Sequence, residues 1–386
     1  MAHRLTHDIR INNRLIKNFY SITINKDINE LTDSGKIVVP GYYFNRDVPK
    51  NNIVRGQSIN VRLGYDGNNR QEFRGFVSHV GERLDRFEIE FQDYSFALKQ
   101  RVEPFQWIPQ ADYDMLSAED RMTAKPSPVT LREIIEYLLE KNTYYADGAF
   151  TFDGRVYNHA ADRSDVLELE WTSFTIGENE TAYDVIQDIK QQRLALFHFV
   201  SSESSGEPLD VPIMRVGMFY LNQERIASSE ASFDMGRNIF SVSRLRHVWA
   251  DRDGVEVIVS AKETASGESV EGRAVSENYA IAPDAKTLRV NLPTKITEQE
   301  ANELAERVVN QHSYNGLKGS FKAKLLPYCT VGYKINVFDP YHPDTNPEGR
   351  TYENSFGGSY ICNKINLSVD RTNGSRRDVG LGTRIG

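Results

Sequence analysis

The residues of this 386-residue chain that are best suited to chemistry lie in one polar loop near its C-terminal end. Asp339, His342, Asp344 and Glu348 fall within one ten-residue stretch and could together hold a cation. Three prolines interrupt the same stretch, which is typical of a solvated connection between strands. The composition therefore favours a strand connection over a metal site, and cation binding is left open.

The other candidates for catalysis are isolated histidines. His79, His198 and His247 lie in strand-like patterns, where a packed or surface histidine is much more common than a general base. The chain contains neither a Gly-x-Ser-x-Gly elbow nor a His-Glu-x-x-His helix motif. We therefore predict no catalytic, cofactor-binding or metal-binding residue, no cofactor and no enzymatic activity.

Paired carboxylates and aromatic residues are abundant. Glu88 with Glu90, and Glu168 with Glu170, are spaced by two, and the alternation of an outward strand face explains them without chemistry. A glycosidase pair would need one desolvated carboxylate, which a sequence cannot show. The aromatic residues include Trp107, Trp171, Trp249 and 19 tyrosines. They suit barrel cores and protein interfaces as well as sugar platforms, and we favour interfaces.

The bulk composition describes an ordinary globular protein with 39% hydrophobic and 26% charged residues. A net charge of −8 argues against nucleic-acid binding. No apolar signal core follows the first residues and no run approaches the roughly 20 apolar residues of a membrane span, so we expect folding where the chain is made and no membrane insertion. Without a secretory context, we expect Cys329 and Cys362 to be reduced and buried.

The elements that would position these residues begin with a hairpin. Ile59, Val61, Leu63 and Tyr65 alternate with polar residues, and Asp66-Gly67 then predicts a tight turn before the run Phe73 to Val77. The pattern Gly-x-x-Ile-Asn-Val followed by Phe-x-Gly begins at Gly56 and recurs from Gly332. The recurrence is either chance, because strands use few residue types, or the mark of two copies of one small β-barrel.

Residues 1–101 are interpreted as the first barrel. The segment up to about Tyr20 is polar and mixed, and strands are then predicted around Ile22, Ile37 and Ile89 in addition to the hairpin. Asp93 is expected to cap a short closing helix. About five antiparallel strands within ~100 residues suit a small closed barrel, because closure removes exposed sheet edges.

Residues 102–235 are interpreted as an α/β insertion domain. The proline-rich segment 103–128 lacks a steady period and predicts a surface insertion or linker. Capping residues at Thr130 and Thr181 predict two helices, and two strands at 194–200 and 213–221 are expected to pair. No glycine fingerprint follows a strand, so a dinucleotide-binding unit is excluded.

The rest of the chain is interpreted as a second barrel, 236–270 and 315–375, interrupted by a helical insertion, 271–314, and followed by a flexible tail, 376–386. Within it we predict an exposed loop at 264–277 and a helix from the capping box Thr297 to Asn310. The predicted class is α+β, mainly β: two similar small antiparallel β-barrels with α/β insertion domains.

Several of these segments, taken in order, resemble the tail-hub or baseplate proteins of tailed phages, the group that includes late-control D proteins and the N-terminal part of VgrG-type spikes. The matching segments are 61–67 with 73–77, 174–176 before the helix 181–193, 238–240, 297–310, 319–321, Gly332 before its strand, and 358–361. Their shared order covers most of the chain from Phe19 to Val369. The chain departs from the pattern of the group in two ways. The segment 103–128 is not part of that pattern, and the chain has neither a β-helical needle nor a lysozyme-like insertion.

The resemblance implies a virion structural protein of the tail or baseplate, assembled in the bacterial host cytoplasm. It implies a homotrimer whose six barrels form a pseudo-sixfold ring between the tail tube and the central spike, with DNA passing through the lumen without specific binding. In that assembly Ile59, Val61, Ile335 and Val337 would be barrel core. The alternative is a tail-tip enzyme or carbohydrate-binding module that acts on cell-wall glycan. The hub of a cellular contractile injection system is also left open.

Overall fold

The computed structural model describes residues 4–41, 53–83, 85–141, 156–158, 167, 170–193, 195–204, 207–218, 230–248, 254–263, 269–282, 284–314, 316–338, 358–370 and 374–385. They form two compact units, the first within 1–190, 195–218 and 368–374 and the second within 191–194, 219–367 and 375–386. Strands dominate both units, which confirms the α+β, mainly β class. No helix of the described ranges is long and apolar enough to cross a membrane.

Seven described strands of the first unit follow one another in the main sheet. They are β1 (Leu5–Ile11), β2 (Arg14–Leu15), β3 (Ser21–Asp27), β4 (Ser34–Pro40), β5 (Ser58–Tyr65), β6 (Asn68–Glu82) and β7 (Arg86–Gln92). Their order is β2-β1-β5-β6-β7-β4-β3, and every neighbouring pair is antiparallel. Asp66 and Gly67 both adopt positive φ at the β5–β6 turn, as predicted. Asp93 caps a 3₁₀ helix, Tyr94–Lys99.

The remainder of the first unit is α/β. Its elements are β8 (Phe105–Ile108), α1 (Gln110–Asp114), a 3₁₀ turn (Asp120–Thr123), β9 (Ala124–Pro126), β10 (Val129–Thr130), α2 (Leu131–Lys141), β11 (Val156–Asn158), β12 (Glu170–Trp171), β13 (Phe174–Ile176), α3 (Ala182–Arg193), β14 (Ala195–Ser204) and β15 (Glu207–Met218). They form small sheets β13-β8-β9, β10-β12 and β11-β15-β14. The predicted helices and the predicted antiparallel strand pair are confirmed.

One prediction for the first unit was wrong, and another was right only in part. The polar segment before Tyr20 contains β1, whose Ile9 and Ile11 are buried and which pairs with β5 along its whole length. The segment 103–128 is a surface insertion as predicted over 109–123, which is largely exposed, but Phe105 and Trp107 of β8 are buried in the core that α2 and α3 share. In both cases alternate side chains face a core while the residues between them are polar. The average polarity of such a segment does not reveal its buried face.

The second unit contains β16 (Glu230–Asp234), β17 (Ile239–Val248), β18 (Val255–Glu263), β19 (Ser269–Val275), β20 (Lys286–Ile296), α4 (Glu298–His312), β21 (Gly316–Ala323), β22 (Lys334–Phe338), β23 (Gly358–Asp370) and β24 (Gly374–Ile385). Its main sheet has the order β16-β22-β23-β24-β21-β17. A separate sheet, β19-β18-β20, packs its valines against α4. The capping box of Thr297 and Glu300 is formed, as predicted.

Four predictions for the second unit were wrong. The loop predicted at 264–277 contains β19, which pairs with β18 over seven residues. The segment 271–314 is therefore not purely helical, and β18 belongs to the small sheet with β19 and β20 rather than to the main sheet. The tail predicted at 376–386 is largely β24, in which Arg377, Val379 and Leu381 are buried against β21.

The two main sheets share one topology over five strands. In chain order the strands are β3, β4, β5, β6 and β7 in the first unit and β17, β21, β22, β23 and β24 in the second. Both sets are arranged first-second-fifth-fourth-third, as β3-β4-β7-β6-β5 and β17-β21-β24-β23-β22. The α/β segment β18 to α4 is inserted between the first and second strands of the second set. The two units differ in the strand that pairs with the outer side of the third strand. In the first unit β1 runs antiparallel to β5, whereas in the second β16 runs parallel to β22.

Candidate assembly surfaces

The third strand of each repeated sheet begins with the same turn. Gly56 and Gly332 adopt φ of 92° and 82°, a region that glycine enters without steric cost. The Gly56 amide donates to the Val77 carbonyl and the Gly332 amide to the Cys362 carbonyl, both at 2.8 Å. The following strands bury Ile59, Val61, Ile335 and Val337, as the resemblance implied. Identical backbone bonding at matching positions makes chance similarity of strand composition a poor explanation.

The second half of the sequence repeat is offset in the structure. Ile59 faces Gly75 across the first hairpin, whereas Ile335 faces Tyr360 across the second. Gly358, which the Phe-x-Gly pattern aligns with Gly75, faces Val337 instead. The two patterns are therefore two residues out of register, and only the Gly-x-x-Ile-Asn-Val half of the repeat marks equivalent positions.

The strand β17 is an edge with exposed apolar side chains. Within the described residues it pairs only with β21, through a register that is interrupted twice near Ser241. The side chains of Phe240 and Val242 are 54% and 43% exposed. Unpaired strand edges and grouped apolar side chains mark surfaces that other chains cover. The sequence places these residues in the second predicted barrel but gives no reason to expect them on the surface.

Among the described candidates, the pairing of β6 with β7 places His79 opposite Glu90, and the other histidines lie on other strands. His79 and His247 are exposed on β6 and β17, which lie in different units, and His198 lies on β14. Glu88 forms ion pairs with Lys36 and Arg83, and the hydrogen bond from Lys36 is the main cause of the lowered pKa of its carboxyl. Glu90 approaches Lys36 at 3.9 Å. Both carboxylates therefore interact with Lys36 on the neighbouring strand β4.

Several candidates lie outside the described residues, namely Asp339, His342, Asp344, Glu348, Glu168 and Trp249. Among the residues that the structure describes, no group of three or more His, Cys, Asp or Glu side chains could hold a metal ion. Cys329 and Cys362 are buried and form no disulfide, as expected.

The described tryptophans do not form an open sugar platform. Trp107 is 3% exposed and contacts the rings of Phe105, Tyr137 and Phe174, with centroids 4.8, 5.5 and 5.9 Å away. Trp171 is half-buried and packs on Phe174. Aromatic side chains in the middle of the chain thus build the core of the α/β segment.

Two acidic residues of the first unit, half-buried Asp33 and buried Asp93, are joined through the backbone. The Asp93 amide donates to the Asp33 carbonyl at 3.0 Å, and Asp93 Oδ1 accepts from the Ser95 amide at 3.1 Å. Burial, with the charge of Asp93, raises the pKa of Asp33 to about 8, and burial raises the pKa of Asp93 to about 6. Lys26 opposes both shifts. Such shifts make folding depend on pH.

We expect Asp33 and Asp93 to lower the free energy of unfolding as the pH rises from 5 to 8. The folded-state pKa of each carboxyl lies above the unfolded value of about 3.9, so the folded state binds more protons across this window and loses stability as they dissociate. Between pH 5 and pH 8 the Asp33→Asn variant should lose less free energy of unfolding than the original chain, by more than about 1 kcal/mol. Urea unfolding of both proteins at four pH values measures this, and equal slopes would contradict it.

No protein-family model matches the chain, and no curated protein matches it in sequence. Its fold is nevertheless similar to solved structures. The 43 kDa tail protein of prophage MuSo2 from Shewanella oneidensis matches with a TM-score of 0.57 at 12% identity, over 98% of this chain and 97% of that one. The tail protein from Neisseria meningitidis MC58 matches with a TM-score of 0.58 at 12% identity, over 98% and 96%.

A component of the E. coli type VI secretion system, described as structurally similar to the T4 bacteriophage tail proteins gp27 and gp5, matches with a TM-score of 0.55. The identity is 10%, over 98% of this chain and 79% of that one. The predicted resemblance to the phage tail-hub group is thus confirmed for the fold.

Proposed function

We propose that this protein is the structural hub of a phage tail or baseplate, and that three copies form a pseudo-sixfold ring that adapts the tail tube to a central spike. The protein acts by geometry and carries out no catalysis. It binds the tube protein, the spike and other baseplate proteins, and it resides in the virion after assembly in the host cytoplasm.

The observation that carries this proposal is the repeated five-strand sheet. One chain with two like sets of five strands supplies six like units when three chains close a ring. Such a ring is approximately sixfold towards a sixfold tube and strictly threefold towards a spike. A single-sheet protein would need six copies, and all six would present the same surface to the spike.

The exposed strand β17 supports extensive contacts between copies. Permanent subunit interfaces bury about 2,000 Å² or more, and they use apolar surface that a monomer would leave in water. The net charge of −8 also suits a ring through which DNA passes, since an acidic surface does not bind phosphate.

The solution mass tests the assembly. We expect light scattering on the purified chain to give about 132 kDa, three times the 44.0 kDa of one chain. Recovery of the trimer with a tail-tube protein and a spike upon co-expression would support the adaptor role. A stable monomer that releases muropeptides from cell walls, and loses this activity when one carboxylate is changed, would contradict the proposal and favour a glycan-directed enzyme.

A further inference from the structure

A protruding segment of the first unit carries two of the most exposed apolar side chains of the described residues. Residues 109–123, here called the methionine knob, join β8 to β9 and include Met115 and Met122, which are 84% and 76% exposed. The knob contains four acids and one arginine, for a net charge of −3. Nothing in the duplicated-sheet topology requires such a segment.

The knob is held in one shape by its own bonds. Arg121 Nη2 donates to the Asp114 carbonyl at 2.8 Å, and its guanidinium lies 5.3 Å from the centre of the Tyr113 ring. Ser117 Oγ donates to Asp120 Oδ2 at 2.7 Å, and Gln110 Nε2 donates to Asp114 Oδ1 at 2.7 Å. The parallel pairing of β8 with β9 closes the base. A preorganised surface loses little conformational entropy on binding, which favours a docking role.

The exposed edge of the second unit has the opposite charge. The strands β17 and β21 contain four cations, Arg244, Arg246, Lys318 and Lys322, and no acid, although the chain as a whole is acidic. Asp378 pairs with Arg244 at 3.0 Å and leaves this edge basic. Phe240 and Val242 are exposed on the same strand, β17. The edge therefore combines apolar and basic side chains, as the knob combines apolar and acidic ones.

We propose that the methionine knob of one copy docks on the β17–β21 edge of the next copy in the ring. The inference rests on the proposed trimer and names its contact surfaces. Met115 and Met122 cover Phe240 and Val242, and the knob acids face the cations of the edge, which gives an apolar centre within a charged rim. Because knob and edge are different surfaces, the contact is head-to-tail, the kind that closes a ring.

Charge reversal tests this docking. Asp112→Lys with Glu119→Lys reverses two exposed knob acids whose side chains take no part in the internal bonds of the knob. Arg246→Glu with Lys322→Glu reverses the edge. Each double variant should raise the concentration at which the trimer dissociates by about 10- to 100-fold, because like charges then face each other. The quadruple variant, with both surfaces reversed, should restore the trimer to near its original strength.

The control is Glu140→Lys with Glu178→Lys, which makes the same change of net charge as the knob variant at exposed positions outside the knob. It should leave the trimer unchanged, and circular dichroism should show all variants folded. If the double variants form the trimer as well as the original chain does, or if the quadruple variant does not recover, the docking is overturned while the hub proposal stands. If the original chain forms no trimer, the assembly proposal itself falls.

Discussion

Gly75→Ala should destabilise the first unit by about 3 kcal/mol or more, because the repeated sheet leaves no room for a side chain at this position. A Cβ on Gly75 would lie 2.1 Å from the Gln92 carbonyl oxygen and 2.7 Å from the Asp93 Cα. Both atoms belong to the backbone that leads from β7 into the 3₁₀ helix. An added methyl group would therefore fit only if β6 and β7 moved apart. Chemical denaturation of the variant measures the loss.

Gly81→Ala is the matched control on the same strand. A Cβ there meets no atom closer than 3.7 Å, which is ordinary contact, and its backbone has no positive φ. We expect a change within about 0.5 kcal/mol, and a small gain is compatible with the lower entropy of the unfolded chain. If the two variants lose equal stability, close approach at Gly75 is not the cause and the packing argument fails.

Phe91→Ala should cost about 3–5 kcal/mol by opening a cavity under the centre of the first sheet. The side chain is 1% exposed, and its ring meets that of Phe73 edge to face with centroids 4.6 Å apart. The ring also lies directly over Gly35 on the neighbouring strand β4. Removal leaves both partners facing empty space, and a rigid sheet cannot collapse to fill it. Thermal and urea unfolding should agree on the loss.

Phe338→Ala is the control, because it removes the same side chain at an exposed position. Phe338 is 62% exposed at the end of β22, so its truncation removes little buried area and should change stability by less than about 0.5 kcal/mol in the isolated chain. A loss of less than about 1 kcal/mol for Phe91→Ala would show that the sheet has no well-packed core at that point.

Much of the local structure was predictable because its causes lie within a few residues. The Asp66-Gly67 turn, the caps at Asp93 and Thr297, and the burial of Ile59 and Ile335 follow from backbone preference and from two-residue or helical periodicity. The order of motifs also indicated the tail-hub resemblance.

Contacts between distant segments could not be predicted in this way. β24 contains few apolar residues and resembles a tail, and it is a strand because β21 offers it a hydrogen-bonding edge. β18 carries the valine alternation of a main-sheet strand, yet it pairs with β19 and β20. Phe-x-Gly recurs in the sequence, but its register differs by two residues between the hairpins.

From the sequence alone one could determine the class of the fold, the two hairpins, the capped helices and the absence of a recognised catalytic motif. The tertiary structure decided the equivalence of the two five-strand sheets, the backbone hydrogen bond between Asp33 and Asp93, and the exposure of Phe240 beside cations on β17 and β21. The physical reason is that strand pairing and burial depend on which distant segments meet, and residue periodicity records only that a strand has a buried face, not which partner covers it.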